Sequence, residues 1–158
     1  MSVTAATFAA VFAVLYVGHS VGDHWVQTSP QSADKGKPGW GGRLADTRHV
    51  ATLTATKLVL LLPVALLLGL HLSAAGLVAG LGVDAVTHWW ADRRSTLAKL
   101  AKLLGQEGFY TLGTAAHPAA PVTAKGTPAA HLGTGAYALD QAWHHLWLLV
   151  AALLIATV

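Results

Sequence analysis

From Ser2 to Val21 the chain has no Asp, Glu, Lys or Arg. With Phe8, Val11, Phe12, Val14, Leu15, Tyr16 and Val17 inside it, the run is long enough to cross a hydrocarbon layer of roughly 30 Å as a helix. It starts neutral and runs into His19 and Asp23, so it reads as a span and not as a secretory leader, which would start basic and end in small residues. A second apolar stretch centres on Leu58 to Leu68 with Pro63 inside it, a third is short and glycine-rich, and a fourth carries Leu146 to Val150 and Leu153 to Ile155. The expected fold class is all-α: a four-helix transmembrane bundle forming a single domain over residues 1–158, with spans at about 3–23, 47–70, 74–92 and 139–158. Residues 70–73 leave room only for a tight turn, and Pro63 is an expected kink.

Composition agrees. The chain is 54% hydrophobic and 11% charged, against about 25% charged in soluble domains. It has no cysteine, which excludes disulfides, thiolate zinc sites and a cysteine nucleophile. The net charge of +3 is small and its bases are scattered, so no nucleic-acid partner is expected.

Four spans put the termini and the 71–73 turn on one side and the loops 24–46 and 93–138 on the other. Nine of the ten bases fall on that second side or beside it: Lys35, Lys37, Arg43, Arg48, Arg93, Arg94, Lys99, Lys102 and Lys125. The positive-inside rule makes those loops cytoplasmic and both termini external, as in a bacterial-type inner membrane. Trp25, Trp89, Trp90, Trp143 and Trp147 lie near the same helix ends, where an aromatic belt is expected. Residues 95–105, with Ser95 as N-cap and Leu97, Leu100, Leu103 and Leu104 between lysines, read as a short interfacial amphipathic helix. Residues 111–135 read as a loop, with His117 and His131 solvated in it. Gly18 to Gly22 and Gly76 to Gly80 are small-xxx-small spacings that would let the first and third helices pack closely.

The polar residues carry the functional signal. His19, Asp23 and Gln27 close the first span at i, i+4 and i+8; Asp84, His88 and Asp92 close the third at the same spacing; Asp140 and His144 open the fourth; His49 opens the second. Residues four apart share a helical face, and all these stripes end at one membrane boundary. Ionisable groups there are costly unless partnered inside a bundle. His19, Asp23, His49, His88, Asp92, Asp140 and His144 are therefore the candidate metal ligands. They would hold one or two divalent ions, two if a carboxylate bridges them, with zinc first and manganese, iron or nickel as alternatives. The competing reading is a set of His–Asp hydrogen-bonded pairs that hold the helices together.

Asp84 and His24 are candidate proton acceptors. Lys57, two turns inside the second span, would pair with Asp84 or snorkel. Gln27 and Gln141 can support the ligands from beside them, while Arg93 and Arg94 would hold an anionic phosphoester or headgroup, or simply anchor the helix end. His24 and His145 turn roughly 100 to 140° from their stripes and are candidates to support the ligands from behind or to sit at the interface, while His71 lies on the opposite side of the membrane and reads as solvated.

The order His19-x-x-x-Asp23 with Gln27, a loop lysine (Lys35 or Lys37), His49, His88-x-x-x-Asp92 and Asp140-Gln141-x-x-His144 resembles the small bacterial and phage membrane proteins of domain-of-unknown-function family 3307. Arg93 and Arg94 stand where that pattern has a lysine three residues after the Asp, and the 105–137 loop is enlarged. The resemblance implies a multi-pass membrane protein with a polar site at its helix ends and no assigned reaction. More distantly, the chain is similar to membrane-bound metal-dependent hydrolases. The resulting expectation is a metal-dependent hydrolase at the cytoplasmic face, acting on a phosphoester or lipid headgroup. The alternative is a non-enzymatic module, structural or metal-handling, open to homo-oligomerisation within the lipid bilayer.

Overall fold

The computed structural model describes residues 3–113 and 134–158, so His117, Lys125 and His131 lie outside the described residues. The described residues are helical, with no strand among them. Helix α1 (Val3–Val21) runs directly into a π-helical turn, Gly22–Val26, closed by the Gln27 N–H donating to the Gly22 carbonyl at 2.9 Å. Helix α2 (Ser29–Asp34) starts with a capping box: Thr28 Oγ1 accepts from the Gln31 N–H, and Gln31 Oε1 accepts from the Thr28 N–H at 2.8 Å.

Helix α3 (Gly39–Leu68) ends at Gly69 in the left-handed region (φ 63°), where the Leu70 N–H returns to the Ala65 carbonyl. Ser73 then caps α4 (Ala74–Asp92) by accepting from the Gly76 N–H at 2.8 Å. Residues 69–73 are thus the tight turn that reverses the chain. Helices α5 (Ser95–Leu103) and α6 (Glu107–Thr111) follow, and Thr134 caps α7 (Gly135–Thr157) through the Tyr137 N–H.

Helix α1 packs on α3 and α7, and α4 packs on the same two, so the four long helices close a ring in the order α1, α3, α4, α7. Away from the α5 end its core is apolar, built from Val11, Leu15, Leu61, Leu81, Leu148, Ala151, Ala152 and Ile155. Leu66, Leu67, Val78 and Val86 point outward and are exposed, an apolar exterior suited to lipid. In α3 the buried residues Asp46, His49, Val50, Leu53, Lys57, Leu61 and Ala65 follow one helical stripe. That stripe is polar in its first half and apolar in its second, while the outer face of the helix is apolar further along.

Three boundaries differ from the sequence reading. Helix α3 begins at Gly39 and not near 47, because Pro38, extended at ψ 160°, opens a further two turns whose Gly42 and Asp46 are buried. Much of the expected 24–46 loop is therefore helical. Helix α7 begins at Gly135, four residues before the expected 139. Ser95 is the first helical residue of α5 and not its cap, the cap position being held by Arg94 at φ 55°.

Among the described residues three segments are long and apolar enough to cross a membrane, Thr4–Val26, Gly39–Leu68 and Gly135–Thr157, against the four spans expected. Helix α4, the intended third span, has 19 residues but carries Asp84, His88 and Asp92, all turned into the bundle. Its polarity is spent on its neighbours, which hydropathy averaged over the helix does not register.

The small residues serve close approach, though not between α1 and α4. Gly18 and Gly22 face α3, and a Cβ on Gly18 would stand 3.0 Å from Lys57 Cγ. Gly76 and Gly80 face α7, and a Cβ on Gly80 would stand 2.6 Å from the Ala151 carbonyl oxygen. Pro63 sits inside α3 without ending it.

Candidate metal centre

Four side chains meet between the end of α1, the first turns of α3 and the end of α4. His49 Nε2 lies 2.9 Å from Asp23 Oδ1, 3.4 Å from Asp92 Oδ2 and 3.2 Å from His88 Nε2. His88 Nε2 lies 3.3 Å from Asp92 Oδ2 and 3.6 Å from Asp23 Oδ1. Ligands about 2.0–2.1 Å from a tetrahedral ion stand about 3.3 Å apart, so these five separations are of the size found between side chains that share an ion. Both imidazoles are buried and Asp23 keeps only 9% side-chain exposure.

The hydrogen-bond alternative fits this cage less well. Two neutral imidazoles have at most one Nε2 proton each, which cannot serve five close contacts. Asp92 Oδ2 also takes the Lys35 ammonium at 2.8 Å, while Nδ1 on His49 and on His88 is buried without a hydrogen-bond partner. Two groups have metal-holding geometry, Asp23–His49–His88 and His88–Asp92–His144. They share His88, whose ring stacks on His144 with centroids 3.9 Å apart.

The remaining expected ligands form a second row. His19 is buried, with Nε2 at 3.2 Å from Gln141 Oε1 and 3.6 Å from Asp23 Oδ2. His144 Nε2 lies 3.4 Å from Asp140 Oδ2 and has no hydrogen-bond partner. Gln141 links the row by donating to Asp140 Oδ2 at 3.4 Å.

Other expected site residues stand apart. The Asp84 carboxylate accepts from Lys57 Nζ at 2.6 Å, with both side chains buried, so Lys57 does not snorkel. That contact commits the Asp84 carboxylate to Lys57, away from the cage. His24 is exposed, and its ring contacts the Tyr137 hydroxyl and the Ser20 carbonyl. Gln27 follows the π turn, whose wider winding rotates it off the His19–Asp23 face, and its Nε2 is buried without a partner.

Arg93 donates to the Lys35 and Lys37 carbonyls, and Arg94 Nη2 donates to the Ser32 carbonyl at 2.9 Å. The two guanidiniums thereby clamp the 32–37 segment onto the end of α4. His71 is exposed, and His145 packs against Tyr16 with the rings tilted and their centroids 4.6 Å apart.

That clamp accounts for a residue that helix patterns alone do not single out: Lys35 Nζ reaches Asp92 Oδ2 at 2.8 Å. Asp46 was missed outright. It is fully buried, with neither oxygen hydrogen-bonded and Arg93 Nη1 at 3.9 Å. Extending the α3 stripe back one turn from His49 would have found it.

Beside Asp92 lies a cavity of about 360 Å³ lined by Lys35, Asp92, Arg94, Tyr110, Tyr137 and Asp140, among others. Burial first, and then the Asp140 charge, push the Tyr110 phenol above its ordinary value, so it lines the cavity as a neutral hydroxyl. The centre therefore has a polar approach on the α5 side.

No family model matches the chain, and no curated protein or solved structure matches it either. The functional reading rests on the side chains themselves.

Proposed function

We propose that the chain is a multi-pass membrane protein whose His–Asp cage binds a divalent ion, zinc in preference, and that it is a metal-dependent hydrolase of phosphoesters at the cytoplasmic membrane face. The observation that carries this reading is the cage: two imidazole nitrogens 3.2 Å apart, from α3 and α4, each 2.9–3.6 Å from a carboxylate oxygen of Asp23 in the π turn and of Asp92 at the end of α4. Zinc accepts such a mixed N/O set, and a bound ion polarises a phosphoryl oxygen and lowers the pKa of water toward neutrality.

Around the ion, this chain's residues would divide the work. Asp23, His49, His88 and Asp92 hold it. His144, whose Nε2 has no hydrogen bond and faces Asp140 of the cavity wall at 3.4 Å, is placed to take a proton, a role that suits it better than Asp84 or His24. Lys35 and Arg94 favour an anionic substrate. Hydrolysis of a phosphomonoester adds one water across the P–O bond, its oxygen to phosphorus and a proton to the leaving alcohol.

The distribution of nine of the ten bases supports a four-span arrangement with the centre on the cytoplasmic side of a bacterial-type inner membrane and both termini outside. The order of the His and Asp motifs supports kinship with domain-of-unknown-function family 3307.

The test uses detergent-purified protein and a panel of phosphomonoesters and phosphodiesters. Turnover should vanish on chelation, return with zinc, and be absent in His88→Ala. Turnover indifferent to chelator, or none with any phosphoester, would remove the hydrolase reading. One observation favours a non-enzymatic second reading: the Lys35–Asp92 pair and the His49–His88 contact also make a closed polar network that could simply hold the helices. In that case metal would be structural or absent and no phosphoester would turn over.

A further inference from the structure

The polar cavity does not stand alone. A second cavity of about 230 Å³ lies between α5 and α7, lined by Leu97, Leu100, Leu104, Leu139, Trp143 and Leu146, with Ala142 at its wall. Its lining is apolar apart from Gln106, and Leu97 belongs to both cavities. The two are adjacent, with Leu97 as their common wall: a chamber lined by two cations, two carboxylates and two tyrosines beside the centre, and an apolar groove against α7, a helix apolar enough to span a membrane. Leu103 and Leu104 on α5 are exposed, which sets that helix at a lipid surface.

We infer that the two cavities together bind one anionic amphiphile, an acyl-chain phosphoester, with its phosphate in the Lys35–Arg94 chamber and its chain in the α5–α7 groove. Arg94 selects the head. It uses one Nη on the Ser32 carbonyl and keeps the rest of its donor fork, while Lys35, paired with Asp92 at 2.8 Å, balances the carboxylate nearest the phosphate, which arrives beside the cage. Apolar burial selects the tail, each enclosed methylene strengthening binding about fourfold at most. A small soluble phosphoester would leave the groove unused. A neutral lipid would leave the free donors of Arg94 without a phosphate to meet. The inference deepens the hydrolase reading and depends on it for the reaction, though not for binding.

The experiment uses the full chain in phosphatidylcholine nanodiscs with two photoreactive probes of the same sixteen-carbon diazirine chain, one ending in a phosphate monoester and one in an alcohol. After illumination, the labelled peptides are quantified by mass spectrometry. The phosphate probe should label residues 97–104 and 139–146 about tenfold or more above the alcohol probe, an enrichment of that order being the lower end of what one charge-assisted hydrogen bond provides. Ala142→Phe, which fills the groove from an exposed position, and Lys35→Met should each reduce the enrichment to about one. Equal labelling by both probes would mean that ordinary bilayer lipid fills the groove and would overturn the inference, as would phosphate-dependent labelling elsewhere on the helices. Enrichment without turnover of the phosphate probe would sink the hydrolase reading alone and leave the amphiphile site standing.

Discussion

Lys57 is fully buried in α3, with its ammonium 2.6 Å from Asp84 of α4. A buried pair is costly to assemble and far more costly to break, since removing one partner strands a charge in a low-dielectric interior. Lys57→Met should therefore destabilise the protein by about 3–5 kcal/mol, while Lys57→Met combined with Asp84→Leu should recover most of that loss. Unfolding midpoints in detergent would show it; a single variant as stable as the parent would contradict the pairing. Residue identities were the most legible part of the site, because i, i+4 spacing fixes which side chains share a face whatever the helix packs against. Legibility ended where the backbone departs from that period. The π turn carried Gln27 away from its stripe, and Asp46 was hidden because hydropathy placed the start of α3 two turns late. The sequence reading paired Lys57 with Asp84 or let it snorkel, since depth in the membrane depends on packing.

Element contacts are set by what is missing from certain side chains. A Cβ on Gly80 would stand 2.6 Å from the Ala151 carbonyl oxygen and from Ile155 Cγ1, whereas one on Gly82 would meet nothing within 4 Å. Gly80→Ala should cost about 1–3 kcal/mol by forcing α4 off α7. Gly82→Ala should be neutral, or stabilising by up to about 1 kcal/mol through helix propensity. Thermal unfolding of the two variants side by side checks both, and equal effects would mean that α4 and α7 do not approach here. The small-residue spacings were legible in the chain; their partners, α3 and α7, were not, because a spacing says that something comes close without saying what.

The arginine clamp belongs to the same scale. Arg93→Ala removes donors to the Lys35 and Lys37 carbonyls, so amide hydrogen exchange over 32–37 should rise at least about tenfold, the response to losing local protection of roughly 1.4 kcal/mol. Unchanged exchange would mean that the segment is held by something else.

At the scale of the whole molecule, the bundle inverts the soluble arrangement over part of its length: apolar residues face outward and charges are gathered inside one end. The all-α class and the tight 69–73 turn were legible because length and apolarity govern both. The count of spans was less so, since α4 turns its polar stripe inward and falls short on apolarity alone. An ion that binds only the folded state stabilises it by about 2.7 kcal/mol at a hundred times its dissociation constant. Chelation should accordingly lower the unfolding midpoint of the parent and leave that of His49→Ala unmoved; equal shifts in both would place the metal elsewhere.

The most direct test is X-ray absorption at the zinc edge on detergent-purified, zinc-loaded protein, with His49→Ala and Asp92→Ala measured alongside. Four nitrogen and oxygen neighbours at about 2.0–2.1 Å, two of them imidazole, are expected in the parent, with stoichiometric binding lost in both variants. A six-oxygen shell, or zinc retained equally by all three proteins, would contradict the cage of Asp23, His49, His88 and Asp92.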